Sequence, residues 1–280
     1  MIPVDLDCEV HGPADAPALL LGGSLGTTRA IWDPQVTALA DRHRLVAFDH
    51  RGHGGSPVPN GPYAIADLGR DVLALMDRLA LPRASYCGLS IGGMVGQWLA
   101  SNAPDRIERL VLICTSARLP PAHAWHERAA TVRAAGSPAG VAEAVVGRWF
   151  TPAWARRNPE LVERHRRMIC ATPAGGYAAC CEAIATMDLR PALKLIAAPT
   201  LVIAGRQDPS IPPEHGAAIA AEIPGARLEM LDPAAHLASV EQAAAVTALI
   251  AGHLGASQAP SQAGSPGVAG DGVVSTLGAA

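Results

Sequence analysis

The sequence is poor in phenylalanine and tyrosine, with two and three copies in 280 residues. Alanine and glycine are abundant instead, which is a compositional bias and not a functional signal. An excess of one charge sign is also missing. The formal net charge is −3 and no block of basic residues occurs, so nothing points to nucleic acid or a membrane surface as partner. No apolar run approaches the ~20 residues needed to span a bilayer. The opening MIPVDLDCEV is acidic and lacks the apolar stretch of a secretory signal. A cytoplasmic protein is expected. The six cysteines agree: Cys180 and Cys181 are adjacent, and Cys8, Cys87, Cys114 and Cys170 show no C-x-x-C spacing. Free thiols buried as small apolar residues are the expectation.

What is present is a globular composition, 49% apolar and 17% charged, at a length that suits one domain with a subdomain inserted. Short apolar runs alternate with longer helical patterns, which predicts a mainly parallel sheet with crossover helices. ALLLGG (18–23), RLVAFD (44–49), ASYCGL (84–89), RLVLIC (109–114), PTLVIAG (199–205) and RLEML (227–231) read as strands. Their continuous apolar character suits strands covered on both faces. Helices are expected over IWDPQVTALA, over 66–80 and from Ile91. Between 118 and 190 that rhythm stops, and a helical cap is expected there, inserted after about the sixth strand. The body is then 1–117 and 191–254. The cap holds ten arginines, no lysine and six acids, or +4, leaving −7 elsewhere. From 255 to 280 the chain is rich in Gly, Ala, Ser and Pro without a charge pattern, so a flexible tail is expected.

Gly88-Leu89-Ser90-Ile91-Gly92 is a G-x-S-x-G motif between a predicted strand and a predicted helix. A serine on so sharp a turn needs small neighbours two residues away, and Gly88, Gly92 and Gly93 supply them. Ser90 is therefore the candidate nucleophile, against a plain glycine-rich turn. A serine hydroxyl needs a base and a group that orients the base. Asp208 follows strand PTLVIAG at its carboxyl end, where open α/β sheets place their sites. His236 lies in Pro233-Ala234-Ala235-His236-Leu237, between the last strand and the last helix. Asp232 is a rival acid, expected to cap or fix the turn. Among the ten histidines, His50 and His53 of Asp49-His50-Arg51-Gly52-His53-Gly54 and His123 and His126 of the cap are expected to be solvated or turn-stabilising. Their spacing is too poor for a metal site. Oxyanion donors are expected from the Ile91 N–H and the Leu25 N–H, the latter in Gly23-Ser24-Leu25-Gly26; a simple glycine turn is the alternative for that loop.

At these residues the sequence resembles the α/β-hydrolases, and 3-oxoadipate enol-lactonases in particular. Gly23-Ser24-Leu25-Gly26-Thr27-Thr28 with Ile31-Trp32-Asp33-Pro34-Gln35 is similar to that family's oxyanion loop and first helix. Cys87 to Met94, running on to Gly96-Gln97-Trp98, is similar to its nucleophile elbow. Arg148-Trp149-Phe150-Thr151-Pro152 resembles its lid signature and Ala235 to Gln242 its histidine loop. The likeness covers roughly residues 5 to 254. Gly23 departs from it, since many members carry Asn there, and the tail resembles a linker that leads nowhere.

The resemblance implies an α/β-hydrolase fold and hydrolysis of 3-oxoadipate enol-lactone to 3-oxoadipate in protocatechuate and catechol breakdown, with Ser90, His236 and Asp208 as triad. No cofactor is implied. Because that substrate keeps a free carboxylate, the cap is expected to supply a cation. Arg148, beside Trp149 and Phe150, is the first choice and Arg133 the second, with Trp149 in the binding surface. Solvated helix-face arginines are the alternative for both. Another serine hydrolase, such as a small-ester esterase or a cofactor-free perhydrolase, would share the triad. A non-catalytic binding protein would normally lack one of its members, and none is missing.

Overall fold

The computed structural model describes residues 1–255. The expectation of a flexible tail falls, beyond Gly255, outside the described residues. Seven strands form one sheet: β1 (Cys8–His11), β2 (Ala18–Gly22), β3 (Arg44–Phe48), β4 (Ala84–Leu89), β5 (Ile107–Ile113), β6 (Thr200–Gly205) and β7 (Arg227–Leu231). Their spatial order is β1-β3-β2-β4-β5-β6-β7. Every pair is parallel except β1 with β3, where Cys8 faces Phe48. The apolar runs became β2 to β7. β1 was not legible, because an edge strand of sequence Cys-Glu-Val-His is polar and half-exposed and shows no apolar run.

Helix α1 (Asp33–Leu39) follows β2, α2 (Ile65–Arg78) follows β3 and α3 (Ile91–Asn102) follows β4. Pro34 sits in the first turn of α1, where its missing N–H costs nothing. β4 is buried at all six positions, as a central strand covered on both faces must be.

The inserted segment is helical and follows β5, the fifth strand rather than the sixth. It comprises α4 (Ala122–Ala135), α5 (Ala139–Val146), α6 (Pro152–Arg157), α7 (Pro159–Ala171) and α8 (Ala174–Thr186). Its prolines start helices as well as separate them: Pro152 and Pro159 stand in first turns. Gly136, at φ +65, ends α4 in the left-handed conformation a side chain would resist. α4 packs along α8 and α5 along α7. The chain then returns through a 3-10 turn (Arg190–Leu195) to β6, α9 (Pro213–Glu222), β7, α10 (Ala238–Glu241) and α11 (Ala243–Gly255). Among the described residues no helix is long and apolar enough to cross a membrane.

Candidate active site

β2 and β4 are neighbours although β3 separates them in the chain. The connections leaving their carboxyl ends therefore diverge, and such a switch point opens a crevice. At its floor the chain turns between β4 and α3 on Ser90, at φ +58 and ψ −118. A residue with a side chain resists that conformation, so the surroundings have to impose it. Glycine makes it possible. A Cβ on Gly88 would stand 2.2 Å from the Gly92 carbonyl oxygen, and one on Gly92 2.3 Å from that of Gly22. The Ser90 N–H donates to the Ile113 carbonyl at 2.9 Å, and Thr115 Oγ1 donates to the Ser90 carbonyl at 2.6 Å. The turn is thus held to β5 and its following loop.

Asp208 lies just beyond β6. Its Oδ1 accepts the N–H groups of Ser210 and Ile211 at 2.8 and 3.0 Å, leaving Oδ2 2.8 Å from His236 Nδ1. Both residues are buried. A carboxylate at Nδ1 selects the tautomer with its proton there and leaves Nε2 as the basic nitrogen. Asp232 is half-exposed at its side chain and pairs instead with Arg206 at 3.1 Å. Ser90 and His236 line one cavity of about 230 Å³. No hydrogen bond joins their side chains, a contact that in such sites commonly tightens when the reacting group is in place. Among the described residues, the Leu25 and Ile91 N–H groups make no hydrogen bond. Wider clefts of about 570 and 710 Å³ are lined by none of these groups.

The inserted helices form the facing wall. Arg148 and Trp149 line the cavity, as do Arg128, Trp125 and Tyr177. The Arg148 side chain makes no ion pair or hydrogen bond among the described residues. Burial foremost, and the charge of Arg128 next, push its pKa below the usual guanidinium range. The Tyr177 hydroxyl is buried without a hydrogen-bond partner of ordinary length. Its pKa is pushed up mainly by burial, against the opposing pull of Arg128 and Arg148.

Arg133 is a correction. It does not line the cavity, and its guanidinium is held by both carboxylate oxygens of Glu182. The helix explains it, since five residues along α4 turn Arg133 roughly 140° away from Arg128. Arg128 was missed. Three residues after Trp125, it shares that indole's side of the helix and lies over its ring, 4.7 Å from the centroid. Among the described residues no guanidinium stacks on Trp149 or Phe150, the aromatics that adjoin Arg148 in sequence.

Glu241 was also missed. It is buried, and its Oε2 accepts the Ala235 N–H at 2.8 Å while Oε1 accepts both the N–H and the hydroxyl of Thr151. The Leu237 N–H donates to the Trp149 carbonyl at 2.9 Å. The loop that carries His236 is therefore fastened to the segment that carries Arg148. A glutamate three residues inside an alanine-rich helical stretch gives no sequence signal of that role. His123 and His126 are exposed on α4. His50 and His53 are buried rather than solvated; His53 bonds within its own turn through the Arg51 carbonyl, whereas His50 reaches the Gly23 carbonyl of another loop.

Compared with known families, residues 17–243 match the alpha/beta hydrolase fold. The chain belongs to the α/β-hydrolase family. Over 239 residues it is 42% identical to 3-oxoadipate enol-lactonase 2 of Acinetobacter baylyi, covering 85% of this chain and 89% of that one. The solved enol-lactonase of Burkholderia xenovorans LB400 is 42% identical, with a TM-score of 0.87 over 90% of this hydrolase and 96% of that chain. A putative carbamate hydrolase, RutD of Variovorax paradoxus, is 36% identical over 85% of this chain and 92% of its own.

Proposed function

We propose that this hydrolase opens 3-oxoadipate enol-lactone to 3-oxoadipate through an acyl-enzyme on Ser90, in the degradation of aromatic compounds by the protocatechuate and catechol branches. The observation that carries this reading is one cavity holding Ser90, His236 and an unpaired, half-buried Arg148, in a chain 42% identical to an enol-lactonase. Residues 118–190 act as its cap over a body of 1–117 and 191–254.

His236 Nε2 takes the Ser90 proton as Oγ attacks the lactone carbonyl. The Leu25 and Ile91 N–H groups receive the oxyanion, and Asp208 stabilises the imidazolium. When the tetrahedral centre collapses, the ring C–O bond breaks and an enolate leaves. The imidazolium returns the proton, giving a ketone. Water, deprotonated by His236, then attacks the acyl carbonyl, and the acid is released as Ser90 recovers its proton. Arg148 holds the substrate's own carboxylate, Trp149 closes the binding surface and no cofactor takes part.

The test is hydrolysis of the enol-lactone beside a neutral small ester. A kcat/KM for the lactone no greater than for the ester would sink the reading. The similarity to a putative carbamate hydrolase supports a second one, in which Ser90 and His236 act on a carbamate. A carbamate substrate in the same assay, turned over faster than the lactone, would favour it.

A further inference from the structure

The turn after β3 holds two buried histidines that the chemistry above leaves unused. His50 and His53 are 3% and 1% exposed, and both reach the loop after β2. His50 Nε2 lies 3.2 Å from the Gly23 carbonyl oxygen. The Gly26 N–H donates to His53 Nε2 at 2.9 Å, while His53 Nδ1 lies 3.2 Å from the Arg51 carbonyl oxygen. A backbone N–H only donates, so His53 Nε2 must present its lone pair and its proton sits on Nδ1. A carbonyl only accepts, so His50 carries its proton on Nε2. The two neutral rings are thus opposite tautomers, each dictated by a backbone group. Burial first of all favours the neutral forms, holding His50 at about 3 and His53 below the usual histidine range.

The anchored positions, Gly23 and Gly26, bracket Ser24 and Leu25. The Gly23 carbonyl also accepts the Gly92 N–H at 3.1 Å, one residue past Ile91. One oxygen therefore ties the loop both to His50 and to the start of α3. The turn itself cannot drift. Asp49 accepts the Arg29 N–H at 2.6 Å and the Gly55 N–H at 3.1 Å. Gly52, at φ +76, abuts the inserted helices so closely that a Cβ would stand 2.5 Å from Gly176 Cα.

We propose that His50 and His53 are positioning residues for the oxyanion hole, holding the Leu25 N–H at a fixed place relative to the Ile91 N–H. The inference rests on the proposed oxyanion role of those two groups. Core histidines that merely satisfy the backbone would affect stability alone. Positioning residues would also affect the affinity for a tetrahedral adduct.

The experiment compares His53→Leu with His53→Gln on a neutral ester, together with inhibition by a boronic acid that forms a tetrahedral adduct on a serine. Glutamine Oε1 can keep an acceptor near the place of Nε2. His53→Leu is expected to lower kcat about ten- to hundredfold, below the full cost of deleting an oxyanion donor. KM should stay within about twofold, which marks loss of an interaction made in the transition state. Boronate affinity should fall in parallel, and His53→Gln should recover most of both. In the unaltered protein, 15N NMR should find His53 protonated on Nδ1 and His50 on Nε2. A folded His53→Leu variant with kcat within about twofold of the parent overturns the proposal. So do equal losses in the two variants, or a His53 protonated on Nε2. The tautomers decide if the leucine variant fails to fold. Undiminished turnover in Ser90→Ala would instead sink the acyl-enzyme reading, without moving either tautomer.

Discussion

At the scale of single residues, the site is defined by which hydrogen bonds leave which atoms free. Asp208 spends one oxygen on two backbone N–H groups and the other on His236, so its rotation is blocked before the imidazole is oriented. Replacing it with Asn puts either a donor or a carbonyl opposite Nδ1 and favours the wrong tautomer. Asp208→Asn is expected to lower kcat by about three to four orders of magnitude. Asp232→Asn, which loses only an exposed pair with Arg206, should change it by less than about twofold. Steady-state rates of the two variants check this, and a reversed ranking would move the orienting acid to Asp232. Ser90→Ala should keep the fold, as circular dichroism would report, and reduce turnover by several orders of magnitude. Full turnover in that folded variant would exclude Ser90 as nucleophile.

Elements decide how these groups meet. The histidine loop and the Trp149–Thr151 segment share Glu241, whose two oxygens accept three donors. Glu241→Ala leaves buried N–H groups unpaired, at about 1–3 kcal/mol each. It should therefore lower Tm and, by loosening His236, kcat as well. Glu241→Gln keeps acceptor capacity on one atom and should lose less of both; thermal melts with kinetics on the pair would show it, and equal behaviour of the two would deny the clamp. On the facing wall, Arg148→Ala should raise KM for the enol-lactone by a factor equivalent to about 1.5–3 kcal/mol, the worth of a charged hydrogen bond. The neutral ester should change little. Equal losses on both substrates would make Arg148 a support of the wall. Arg133→Ala, whose partner is Glu182 and not the cavity, should leave both substrates unaffected.

For the whole molecule, the buried neutral histidines predict how stability varies with pH. His50, His53, His165 and His253 all have pKa values lowered, by burial first of all. Below the unfolded pKa of about 6.5 the unfolded chain binds protons that the native state refuses. Stability is therefore fully present above that pH and falls as pH drops toward the folded values, by up to about 1.4 kcal/mol per pH unit for each histidine fully linked. Melting temperatures should decline steadily from pH 7 to pH 5, before most carboxylates titrate. A flat profile over that range would mean that these rings accept protons in place. The seven strands, the inserted helices and the residues Ser90, Asp208 and His236 all lie within residues 1–255. Truncation after Gly255 should accordingly leave Tm and turnover nearly unchanged, and a large loss of either would contradict this.

The sequence alone was enough for the α/β alternation, six of the seven strands, the serine turn and the positions of Asp208 and His236. Those features rest on local constraints: apolar runs on buried strands, glycines where Cβ atoms collide, and the strand ends that an open parallel sheet turns into a crevice. Residues whose role depends on a distant partner were decided only by the tertiary structure. Arg128 and Arg133 look alike in sequence, and the rotation of α4 against α8 sends one to the cavity and the other to Glu182. His50 and His53 became backbone anchors because β3 lies beside β2, which brings their turn under Gly23 and Gly26. Glu241 became the link between wall and histidine loop because Thr151, 90 residues earlier in the chain, folds onto it. Helix rotation, strand order and long-range closure are set by packing summed over the whole core, and no short stretch of residues encodes that sum.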